Sequence, residues 1–76
     1  MKELIYKTLK TKCEAEIAEA EMSLTLCFTN PVAIGEHTHE HFAGEAIKAL
    51  DKLSSAKDNL NTLKEFWGTI ITPDMV

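Results

Sequence analysis

The sequence predicts an all-α protein, an antiparallel two-helix hairpin that pairs with a second copy into a four-helix bundle. Three observations carry that expectation. Apolar residues recur at steps of three and four through both halves of the chain, the spacing that keeps them on one side of a helix. A single cluster of helix-breaking residues, Asn30-Pro31 and Gly35, separates the halves. The two segments also hold more apolar residues than one seam between them can cover.

The first helix is expected from about residue 2 to 29. Ile5, Leu9, Cys13, Ile17, Ala20, Leu24 and Cys27 form its apolar stripe. Strong helix formers fill the middle, from Glu14 to Met22. Proline disfavours helical backbone at the residue before it, so Pro31 ends the helix by about Thr29.

The connection is expected over about 30 to 38, and its shortness makes the helices antiparallel neighbours. Val32 and Ile34 are apolar and are expected to plug the end of the hairpin, with Thr38 capping the second helix. The string Asn30-Pro31-Val32-Ala33-Ile34-Gly35-Glu36-His37 resembles a loop of small uncharacterised two-helix proteins of marine tailed phages. That resemblance covers the loop and the order of elements. It implies a helical hairpin of phage-like origin and brings no activity with it.

The second helix is expected from about 39 to 67. Phe42, Ala46, Ala49, Leu53, Ala56, Leu60, Leu63 and Trp67 alternate steps of four and three, the pattern of a left-handed coiled-coil seam. Alanines near the loop end let the opposing helix approach. Leu60, Leu63 and Trp67 fill the open end. Gly68 suits a left-handed cap, which favours a stop at Trp67 and an extended tail over 68 to 76. Ile70 keeps the helical phase, so continuation to Ile71 is the alternative.

The 76 residues make one small domain, a size at which a lone core is thin. The net charge is −4 and the chain has no Arg, which argues against nucleic-acid binding. No apolar run is long and unbroken enough for a membrane span, and no signal-peptide core follows Met1. A cytoplasmic location is expected. Cys13 and Cys27, two heptads apart on one helix, are separated by about 21 Å at 1.5 Å per residue. They are read as buried small hydrophobes rather than a disulfide.

Leu4, Met22, Leu26, Ile47, Leu50 and Phe66 lie off the main stripes and are the candidate interface residues. A homodimer is the economical way to cover them, and an unidentified protein partner is the alternative. The first helix begins basic (Lys2, Lys7, Lys10, Lys12) and turns acidic (Glu14, Glu16, Glu19, Glu21), against the preference of the helix dipole. Two such helices packed antiparallel would match base to acid, crossing near Cys13.

All three histidines fall within Glu36-His37-Thr38-His39-Glu40-His41. Imidazole suits zinc or nickel, so His37, His39 and His41 are the candidate metal ligands of an alternative reading, a metal-binding module. The order differs from the His-Glu-x-x-His signature of metalloproteases. No nucleophile–base constellation or glycine-rich phosphate loop is present, so an enzyme is not expected. No cofactor is expected beyond that zinc or nickel.

Overall fold

The computed structural model describes the backbone of residues 1–29 and 39–71, and the side chains of 1–29 and 43–71. Helix α1 spans Lys2–Thr29 and helix α2 spans His39–Ile71. The expected loop over 30 to 38, with Val32, Ile34 and Thr38, lies outside the described residues, and so does the side chain of Phe42.

The helices pack antiparallel along their length. Tyr6 meets Trp67 at one end, and Glu19 meets Lys52 further along. The partner number falls as the α1 number rises. Each helix is about 10–12 Å across with its side chains, and the molecule measures 58 × 21 × 14 Å. The hairpin is therefore one helix thick in its thinnest direction, and among the described residues the interior is the seam between α1 and α2.

That seam is built around small residues. Ala20 (1% exposed), Ala49 (6%) and Ala56 (3%) are the buried apolar residues among those described. Methyl side chains let the two backbones approach closely, and the leucines either side of them close over the contact. Leu24, Leu53, Leu60, Leu63 and Trp67 are only half-buried, because a single layer leaves one side of each large residue in water.

The structure corrects the start of the α1 stripe. Tyr6, Lys10, Cys13, Ile17, Ala20, Leu24 and Cys27 are the inward residues, at alternating steps of four and three. Ile5 and Leu9 remain 53% and 45% exposed. The cause is geometric: repeated steps of four drift steadily around the helix, whereas a supercoiled pair holds a mean step of 3.5. Lys10 takes an inward position by laying its aliphatic stem along the seam. Its ammonium reaches Glu14 Oε2 at 3.3 Å.

The end of α2 is also corrected. Helix continues four residues past Trp67 to Ile71, so Gly68 lies within it and is not a left-handed cap. The expected tail is helical over 68–71, and 72–76 lies outside the described residues. Trp67 stacks on Tyr6, and Ile70 lines the same open-end hollow with Ile5 and Tyr6. Those contacts favour the further helical turn, against the roughly 1 kcal/mol that an interior glycine costs. The Thr69 hydroxyl donates to the Phe66 carbonyl at 2.6 Å within that turn.

Candidate interaction surface

A one-layer hairpin has three kinds of surface: the outer face of each helix and the two edges where the helices meet. Their chemistry differs sharply. On the outer face of α1, about 200° around from the seam, runs Leu4, Thr8, Thr11, Ala15, Ala18, Met22 and Thr25. These seven exposed residues stand at alternating steps of four and three, and none is charged. The Thr8 hydroxyl donates to the Leu4 carbonyl at 2.8 Å, and beyond the row Thr29 donates to Thr25 at 2.7 Å. Each of these hydroxyls is thus satisfied within its own helix.

The matching row on α2 is Ile47, Asp51, Ser54, Asp58, Asn61 and Glu65, also fully exposed. Three carboxylates make it a solvated face. The regular inward spacing of both helices hides this asymmetry, since each reads as amphipathic when only its seam is scored.

One edge joins the helices through a charged contact. Lys52 Nζ donates to Glu19 Oε1 at 2.8 Å. The hydrogen bond first, and the opposite charge second, hold the Glu19 carboxyl below its ordinary pKa and raise that of the Lys52 ammonium. Toward the open end the same edge becomes apolar, in a hollow lined by Ile5, Leu9, Leu63, Phe66 and Ile70. Ile5 and Leu9 belong to this exposed surface and not to the core where their spacing suggests they sit.

The six candidate interface residues are each more than half exposed. They do not form one patch. Leu4 and Phe66 lie at the open end, while Met22, Leu26, Ile47 and Leu50 lie toward the loop. Leu26 stands one heptad along the Glu19 edge, being seven residues on from it. Leu50 is two residues before Lys52 and so about 200° away around α2, toward the opposite edge. Only Leu4 and Met22 share the uncharged α1 row. Ala15 and Ala18 also read as apolar residues off the main stripe; the threonines of the row do not, and the absence of charge at a heptad spacing is the signal that finds the whole row.

Of the candidate metal ligands, His37 lies outside the described residues. His39 and His41 fall in the first turn of α2, with their side chains outside the description. Because α2 begins at His39, these two positions lie on helical backbone. Among the described residues, no group of three or more His, Cys, Asp or Glu is placed to hold a metal. Cys13 and Cys27 are free thiols, half-buried on the seam side of α1. Among the described residues, no helix is long and apolar enough to cross a membrane.

Set against known protein families, curated proteins and solved structures, the chain matches none of them.

Proposed function

We propose that this chain is a small non-enzymatic interaction protein acting as a homodimer, with two hairpins closing a four-helix bundle. The observation that carries the reading is the imbalance between interior and surface. Among the described residues three alanines are buried, while twelve large apolar side chains stand in water. Removing one such side chain fully from water is worth roughly 1.5–3 kcal/mol, against about 5–15 kcal/mol for the whole stability of a typical domain. Covering even a few of them therefore rivals the stability the lone hairpin can draw from its thin seam. The loop string at residues 30–37 supports an accessory role for a tailed phage, in the cytoplasm of its host cell.

Sedimentation equilibrium at micromolar concentration tests the proposal. The expected result is twice the mass of one chain, with dissociation on dilution. A single-chain mass at every concentration would retire the homodimer.

A further inference from the structure

We infer that a second copy of this chain covers the outer face of α1, running antiparallel, with the two-fold axis beside Ala15. The inference rests on the homodimer reading and assigns its surface and geometry. Among the described residues the outer row of α1 carries no charge, while that of α2 carries Asp51, Asp58 and Glu65. Pairing two α2 faces would bring those carboxylates together at a cost.

The charges beside the α1 row choose the direction. A two-fold axis lying in the interface sets each edge of the row against the same edge of the second copy. One edge carries Ile5, Lys12, Glu19 and Leu26. Antiparallel pairing about Ala15 brings Lys12 to Glu19 of the second copy, and Ile5 to Leu26. The other edge carries Lys7, Glu14 and Glu21, and the same register brings Lys7 to Glu21 of the second copy. Glu14 falls near the axis, where Lys10 of its own helix already neutralises it at 3.3 Å. A parallel pair would set each edge against the other edge of the second copy, bringing Lys7 to Lys12 and Glu14 to Glu19.

Side-chain size follows the same symmetry. Ala15 and Ala18 lie near the crossing and permit close approach, while Leu4 and Met22 fill the space further out. The Thr8 hydroxyl, already bonded to Leu4, enters the contact without an unmet donor. The basic-then-acidic order of α1, which its own dipole does not favour, is accounted for by this pairing. The crossing moves from Cys13, which faces the seam, to Ala15, which faces out.

The test compares three variants by sedimentation and far-ultraviolet circular dichroism. Ala15→Glu puts two carboxylates at the axis and is expected to halve the apparent mass while the helicity per chain persists, since Ala15 is exposed. Lys7→Glu is expected to weaken the dimer, and Lys7→Glu combined with Glu21→Lys to restore it. Ile47→Glu, on the outer face of α2, is expected to leave the dimer intact. Should Ala15→Glu lose its helices, disulfide trapping replaces it: with Cys13 and Cys27 replaced by Ala, Ala15→Cys is expected to cross-link and Ile47→Cys is not. A wild-type dimer that survives Ala15→Glu, or that cross-links through Ile47→Cys alone, overturns the face assigned here and leaves the homodimer standing. A monomeric wild type overturns both.

Discussion

Tyr6 and Trp67 stack with ring centroids 4.6 Å apart and planes inclined by 11°. This contact pins the first turns of α1 to the last turns of α2, at the end of the hairpin farthest from the connecting loop. Without it the open end would have only half-buried leucines to hold it.

Trp67→Ala is expected to destabilise the fold by about 2–3 kcal/mol. Roughly 0.5–1.5 kcal/mol of that comes from the aromatic pair and the rest from lost apolar contact. The loss falls short of the roughly 3–5 kcal/mol typical of a fully buried aromatic, because Trp67 is half-buried. Urea unfolding followed at the helical band measures it. A loss below about 0.5 kcal/mol would mean that the stack holds nothing.

Gly68→Ala separates the helix observed here from the cap expected from sequence. Gly68 is helical, and a methyl group added there meets nothing within 4 Å. The substitution is expected to stabilise the protein by up to about 1 kcal/mol. A glycine in left-handed backbone would give the opposite sign, so thermal unfolding reads out the conformation directly.

Enlarging the seam alanines is expected to do harm. Ala56→Leu or Ala20→Leu forces the backbones apart and should cost about 1–3 kcal/mol or more. Ala15→Leu and Ala18→Leu, on the exposed face of the same hairpin, should leave the stability of the single hairpin nearly unchanged. Equal effects at Ala20 and Ala18 would place the seam on the wrong side of α1.

The Glu19–Lys52 bridge lies in solvent, with its side chains 62% and 48% exposed, so its contribution is small and sensitive to salt. Its pH window follows from the two shifts. The Glu19 carboxyl is lowered in the fold, so its contribution is present above the unfolded carboxylate value near about 4.3 and fades as pH falls through the folded value. The Lys52 ammonium is raised, so its contribution is present below about 10.4 and fades as pH climbs through the folded value. A double-mutant cycle with Glu19→Gln and Lys52→Met should therefore show coupling at neutral pH and none in strong acid. Coupling that survives acid would assign it to packing.

Zinc and nickel titrations distinguish the interaction reading from a metal-binding module. The expected outcome is no stoichiometric binding and no rise in melting temperature with either ion. A rise that His37→Ala, His39→Ala and His41→Ala together abolish would install the metal-binding reading in its place.

Much of the hairpin is legible in the chain because its local signals agree. The alternating steps from Ala46 to Trp67 mark the seam of α2, and Pro31 places the end of α1 at about Thr29. The start of α1 reads wrongly because Ile5 and Leu9 outrank Tyr6 and Lys10 in hydrophobicity, while the supercoil selects by angle. Gly68 reads wrongly because a local cap preference was set against contacts made sixty residues away in sequence, by Trp67 with Tyr6.

The sequence by itself determined that there are two helices, that the first stops before Pro31, and that the apolar residues exceed what one seam covers. Those are consequences of backbone propensity and of counting, and they need no neighbour. Only the tertiary structure decided which residues the seam takes in and which it leaves in water. A residue's exposure depends on its angle to a second helix, and that angle exists only once the chain has folded back. For that reason the uncharged row through Ala15, spaced as regularly as the core, emerges as a surface only in the folded hairpin.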